Sequence, residues 1–123
     1  MAKILVVDDS EAVRTQITKD IEATGHTVVS AVDGLDGLAK LKEHADIGLI
    51  LSDVNMPNMD GLTMCQNVRR MDQYVTVPIM MLTTETNDEM KKMAKDIGVR
   101  AWIRKPYVPQ KLTSAIATLL AKS

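Results

Sequence analysis

Residues Ile47 to Gly61 read IGLILSDVNMPNMDG, an apolar run that stops abruptly in polar and turn-forming residues. A short continuous run of Ile and Leu, bounded by turn signals, is the pattern of a strand buried on both faces. Asp53 stands where that strand runs out, and Pro57, Asn58 and Gly61 mark an irregular loop that hands over to a helix. Open α/β sheets keep their ligand crevices outside the carboxyl ends of the strands. The decisive question is therefore which other polar groups the chain brings to the edge where Asp53 lies.

The same pattern recurs on both sides of this stretch. Strands are expected at Lys3–Val7, His26–Ser30, Pro78–Leu82 and Val99–Ile103. Between them the spacing predicts helices. The first runs from Ser10 to Thr24 with Val13, Ile17 and Ile21 inward and Gly25 as its stop. The second is opened by Asp33 and Gly34 and turns Leu35, Leu38 and Ala39 to one face. The third spans Leu62–Met71, with Met64, Val68 and Met71 inward. The fourth spans Asn87–Ile97, with Met90, Met93, Ala94 and Ile97 on one face and Gly98 as cap. The last starts at Pro109, a favoured first helical position, and carries Leu112, Ala115, Ile116, Leu119 and Leu120. Five strands alternating with five helices imply an α/β fold, a parallel sheet covered by helices on both faces.

Composition narrows the classes. The 123 residues carry a formal net charge of −1, which gives no pull toward nucleic acid or anionic membrane. No apolar run is long enough to span a bilayer, so no membrane insertion is expected. The single cysteine, Cys65, excludes an internal disulfide and a multi-cysteine metal site. His26, His44 and Cys65 have no companions and read as ordinary packing or surface residues. With no Phe and nine Met, the core is expected to be aliphatic and filled by Met. The start MAKILVV enters a strand directly without signal-peptide anatomy, which points to the cytoplasm. One domain over residues 1–123, with no output domain, is the expected organisation. Such a domain acts through its own surface.

In a parallel sheet the carboxyl ends of all strands share an edge. Strand one ends in Asp8 and Asp9, strand three in Asp53 and strand four in Thr83, while Lys105 closely follows strand five. Each has an ordinary reading: Asp9 as a helix cap, Thr83 as a turn residue, Lys105 as a solvated cation. Their convergence is the signal. Three carboxylates do not crowd together ionised without a counter-charge. Oxygen ligands alone suit a hard divalent cation, Mg²⁺ foremost, which keeps waters and leaves room for a phosphoryl group. An Asp carboxylate can itself be the nucleophile in phosphoryl transfer, where the protein mainly positions and neutralises.

At this point the sequence resembles the receiver domains of bacterial two-component response regulators, most closely the stand-alone chemotaxis regulators of the CheY type. VVDDS, SDVNMPNMDG, MLTTE and RKPY match four family blocks in order, and the likeness spans essentially the whole chain. The resemblance implies a flavodoxin-like fold with sheet order 2-1-3-4-5. It makes Asp53 the phosphoacceptor, with Mg²⁺ held by Asp8, Asp9, Asp53 and the backbone carbonyl of Asn55. Thr83 becomes the switch hydroxyl, Lys105 the phosphate partner, and a cis peptide is implied before Pro106. Asn55 and Glu85 take the two positions that set phosphoryl lifetime, in a pairing similar to the regulators that lose the group quickly. Trp102 stands where the family has a mobile Tyr or Phe, and Thr84 where it often has Ala or Gly.

The implied partners are a histidine kinase as phosphodonor, a phosphatase, and a downstream protein reached through the surface of helix 4, strand 5 and helix 5. The flagellar motor switch is the target such regulators suggest. A phosphorelay intermediate or phosphate sink is the alternative role, because the helix 4 face carries Asp88, Lys91, Lys92 and Lys95 and few apolar anchors. The chain is expected to be a signalling switch and not an enzyme in the usual sense. Three other classes compete. A haloacid-dehalogenase-like phosphatase wants an Asp where Asn55 stands. A flavin or nucleotide carrier wants a phosphate loop where Asp8 and Asp9 stand. A degenerate receiver would not need the full set of Asp8, Asp9, Asp53, Thr83 and Lys105.

Overall fold

The structure is a computed structural model that describes residues 1–122. Among these, five strands alternate with five α-helices: β1 Lys3–Val7, α1 Glu11–Glu22, β2 Thr27–Ala31, α2 Gly34–Glu43, β3 Ile47–Ser52, α3 Gly61–Val68, β4 Ile79–Thr83, α4 Asp88–Ile97, β5 Ala101–Arg104 and α5 Pro109–Lys122. A short 3-10 turn at Asp72–Tyr74 precedes β4. The strands pair in parallel in the order β2-β1-β3-β4-β5.

Alternation along each strand sends successive side chains to opposite faces, so the sheet has two apolar layers. Leu5, Val7, Ile50 and Met81 pack under α2, α3 and α4 with Leu41, Met64, Val68 and Ala94. Ile4, Val6, Leu49, Leu51, Met80 and Leu82 pack under α1 and α5 with Ile17, Ile21, Leu112 and Ile116. Both layers are mainly aliphatic, with Tyr74 buried in the first, and Met64, Met80 and Met81 are fully buried as the composition implied.

Several sequence expectations are corrected in detail. In α2 the inward face is Gly34, Gly37 and Leu41; Leu35 is 52% exposed, and Ala39 is exposed too. Glycine allows that close approach: a Cβ on Gly37 would lie 2.6 Å from Met64 Sδ. Helix α3 ends at Val68 and not at Met71, and the chain tightens into the 3-10 turn. In α4 only Ala94 is buried, and Met93 is exposed. Strands β2, β4 and β5 lie one or two residues from their expected bounds.

Four loops at the carboxyl edge end in side-chain caps. Ser10, Asp33, Asp60 and Asn87 accept hydrogen bonds from the backbone N–H of Val13, Asp36, Thr63 and Met90. Each such cap stabilises its helix by about 1 kcal/mol. Ser10 is the cap of α1, so Asp9 is not needed for that role.

Candidate functional site

The carboxyl edge brings Asp8, Asp9, Asp53 and Lys105 together. Asp8 leaves β1 and is only 2% exposed. Its backbone N–H donates to Ala31 at 3.1 Å, and its Oδ1 accepts from the Ser10 N–H at 2.9 Å. Arg14 donates to its carbonyl at 2.6 Å. Asp53 leaves β3 with its N–H on Val7 at 2.9 Å, and its Oδ1 accepts from the Val54 N–H at 2.7 Å. The Lys105 ammonium then donates to Asp8 Oδ2 at 2.7 Å and Asp53 Oδ2 at 2.9 Å. Backbone pairing of Lys105 N–H with Thr83 at 3.0 Å carries β5's path past β4 and aims that ammonium at the edge. The peptide between Lys105 and Pro106 is cis.

Burial works against the Lys105 ammonium, yet its hydrogen bonds to Asp8 and Asp53 and their charges outweigh this and hold the amine above its ordinary value. One ammonium faces three carboxylates, so the cluster remains net negative. Asp8, Asp9 and Asp53 each offer an oxygen within 4.8 Å of the others. This all-oxygen set, open at the exposed Asp9, fits a hard divalent cation and has no soft ligand that would favour zinc or copper.

The loop after Asp53 is fixed by close backbone approach. Gly61 donates to Val54 at 2.7 Å, and a Cβ on Gly61 would fall 2.0 Å from the Asp53 carbonyl oxygen. That carbonyl also accepts from Ser52 Oγ at 2.7 Å. Asn58 takes a left-handed φ of 67°, a conformation Asn tolerates, and donates to Asp33 Oδ2 at 2.8 Å. The Asp36 N–H and the Asn58 amide together hold the Asp33 carboxyl below its ordinary value. Sequence reading took Asp33 as the opening of a helix and Asn58 as part of a loop; it missed that they bond each other, 25 residues apart.

Thr83 is fully buried, and its hydroxyl accepts from the Glu85 N–H at 3.1 Å. Glu85 sits at a crossing of contacts. Its side chain accepts from Asn55 Nδ2 at 3.0 Å and from the Thr86 and Asn87 N–H groups at 3.1 Å each. Its carbonyl accepts from Trp102 Nε1 at 3.1 Å. The Asn55 amide, then the Asn87 and Thr86 N–H groups, hold the Glu85 carboxyl below its ordinary value. Trp102 is half-buried against the α4 layer, with Lys91 Nζ 6.0 Å from its ring centre. Thr84 is exposed beside Lys105 and Tyr107. Of the residues that the sequence reading placed at the edge, Asp8, Asp9, Asp53 and Lys105 meet in one cluster. Asn55, Glu85 and Trp102 form one hydrogen-bonded path to the buried Thr83, rather than joining the carboxylate cluster.

Parallel strands in this order, with an acidic cluster and a lysine at their carboxyl edge, define a flavodoxin-like α/β domain. The chain belongs to the response regulator receiver domain family, whose profile matches residues 4–117. It is 35% identical over 119 residues to the chemotaxis protein CheY1 of Helicobacter pylori, covering 96% of each chain. It is 34% identical to the Bacillus subtilis alkaline phosphatase synthesis transcriptional regulatory protein PhoP, but spans only 49% of that protein's length. Among solved structures, the Vibrio cholerae chemotaxis protein CheY4 matches with a TM-score of 0.91 and 39% identity, over 97% of this chain and 98% of that one. A CheX–CheY–BeF3–Mg complex from Borrelia burgdorferi matches with a TM-score of 0.89 and 26% identity, over 96% and 88%. The flavodoxin-like fold expected from the sequence is the one found. Among the described residues, no helix is long and apolar enough to cross a membrane.

Proposed function

We propose that this receiver domain takes a phosphoryl group from the phosphohistidine of a histidine kinase onto Asp53 and uses it to change the surface built by α4, β5 and α5. The observation that carries this reading is the Lys105 ammonium set between the Asp8 and Asp53 carboxylates, with Asp9 completing an oxygen cluster. An Asp53 oxygen attacks phosphorus; a P–O bond forms as the donor's P–N bond breaks, and the electron pair leaves on the imidazole nitrogen. Asp8, Asp9, Asp53 and the Asn55 carbonyl would hold Mg²⁺, which would supply charge neutralisation at the phosphoryl oxygens. Lys105 supplies the second positive charge, already desolvated and oriented.

Thr83 couples the site to the surface. Its hydroxyl accepts from Glu85 and keeps its own proton for a phosphoryl oxygen. A shift of Thr83 toward Asp53 pulls on the Glu85 N–H and so moves Glu85, whose carbonyl holds the Trp102 indole. Trp102 therefore reports the state of Asp53. Asn55 and Glu85, joined by a hydrogen bond, set how quickly the phosphoryl group is lost. Substituting either by Ala is expected to change the autodephosphorylation rate; unchanged rates would remove them from that role.

The chemotaxis relatives support a chemotaxis role, with a phosphatase and the flagellar motor switch as candidate partners, and a cytoplasmic setting. The charged α4 face, with Asp88, Lys91, Lys92 and Lys95 exposed, favours a second role as phosphorelay intermediate or phosphate sink. The test is intact mass after incubation with acetyl phosphate, with and without Mg²⁺, on the wild type and Asp53→Asn. One phosphoryl group gained only with Mg²⁺ and lost in the variant, together with a change in Trp102 fluorescence, is expected. An adduct on Asp53→Asn as large as on the wild type would overturn the assignment.

A further inference from the structure

The loop after β5 is tied to α1 by a contact that the proposed chemistry does not use. Tyr107 donates its hydroxyl to Asp20 Oδ2 at 2.6 Å, across 87 residues of sequence. Gln16 Nε2 holds the other oxygen, Asp20 Oδ1, at 3.1 Å from one turn earlier on α1. The Tyr107 ring packs at the margin of the α1–α5 apolar layer, where it borders a cavity of about 550 Å³ with Ala12, Val13 and Pro109. Burial first, and Asp20 second, push the phenol above its ordinary value, so it stays a donor across the neutral range.

The tie closes a ring around the site. Asp8 runs through Ser10 into α1, as far as Asp20. The hydrogen bond crosses to Tyr107, and Lys105 lies two residues back along the chain. The Lys105 ammonium then returns to Asp8 at 2.7 Å. On its other side Lys105 is anchored by its N–H to Thr83 at 3.0 Å. Lys105 is thus gripped before and after, and the second grip is the Tyr107–Asp20 bond.

We propose that Tyr107 and Asp20 are positioning residues for phosphoryl transfer: their hydrogen bond fixes the loop that holds the Lys105 ammonium against Asp8 and Asp53. This rests on the phosphoacceptor reading above. Misplacing a charged group by a fraction of an ångström lowers the rate at saturation rather than the affinity for the donor.

The test measures phosphorylation by acetyl phosphate across donor concentrations, beside competitive labelling of lysines by acetic anhydride without metal or donor. Tyr107→Phe and Asp20→Ala are each expected to lower the plateau rate by about tenfold, with the half-saturating donor concentration unchanged. The double variant is expected to be no slower than either single one, and Asp20→Asn, which keeps an acceptor, stays within about threefold of wild type. Lys105 labelling rises severalfold in Tyr107→Phe relative to the other lysines. A wild-type plateau rate in Tyr107→Phe, rate losses that multiply in the double variant, or an effect confined to half-saturation would each overturn the proposal. A wild type that gains no phosphoryl group removes the phosphoacceptor reading instead. The labelling arm still decides whether the bond holds Lys105.

Discussion

Lys105 shows how a site is made from charges that repel one another. Its ammonium lies between two carboxylates, one of them almost fully buried, and its amine is held above the ordinary value by those partners despite burial. A raised folded value means that the pairing stabilises the fold fully below the unfolded amine's pKa, about 10.5, and is lost as pH rises through the folded value. Urea unfolding of wild type and Lys105→Gln should therefore differ by a constant amount from neutral pH to about 10 and converge above it. At neutral pH, removing this partner leaves the buried Asp8 and the mostly buried Asp53 uncompensated, a cost of about 3 kcal/mol. Cys65 is a second residue-scale case. Burial raises its thiol to about 12, with the Arg69 charge opposing and Asp60 adding. Iodoacetamide should leave Cys65 unmodified in the folded protein at pH 8 and alkylate it fully in urea; rapid alkylation of the native chain would contradict its burial.

At the scale of elements, the loop from Asp53 to α3 is built on contact too close for any side chain. Gly61→Ala places a Cβ 2.0 Å from the Asp53 carbonyl oxygen, a backbone atom that cannot swing aside. The expected cost is about 3 kcal/mol or more in unfolding free energy, with slower phosphorylation because the Asp53 peptide must move. Asp33 caps α2 and holds Asn58 in the same loop, and its carboxyl lies below the ordinary value. A lowered folded value stabilises above the unfolded pKa and is lost as pH falls through the folded one. The stability gap between wild type and Asp33→Asn should accordingly shrink below about pH 4. These details also mark where sequence reading stops. Strand β3 and helix α5 were legible because hydrocarbon periodicity reports burial directly. The inward face of α2 was not, since Gly34 and Gly37 carry no side chain to count, and tight packing on glycine pushes Leu35 outward. The end of α3 was hidden for a related reason. Arg69 reads as a surface charge, yet it donates to the carbonyls of Ile97, Gly98, Tyr74 and Val77 and gathers three chain segments at the helix terminus.

For the whole molecule, a parallel sheet turns sequence order into a site. Strict alternation puts Asp8, Asp9, Asp53, Thr83 and Lys105 on one edge, because the carboxyl ends of parallel strands share an edge. What sequence could not supply was the division of labour among them: Lys105 bonds Asp8 and Asp53, whereas Thr83 is turned to Glu85. The proposed metal site is testable at this scale too. Mg²⁺ at a hundredfold above its dissociation constant should add about 2.7 kcal/mol of stability, a rise of about 10 °C in melting temperature. Asp9→Asn, which removes the exposed carboxylate, should lose most of that rise, and an equal rise in the variant would place the ion elsewhere. The central claim is that the phosphoryl group sits on Asp53. Its most direct test is to phosphorylate the protein with acetyl phosphate and Mg²⁺, reduce the acyl phosphate with borohydride, and locate the product by tandem mass spectrometry of peptides. Reduction of residue 53 to homoserine is the expected result; reduction at Asp8 or Asp9, or at no residue of a chain that has gained a phosphoryl group, would contradict it.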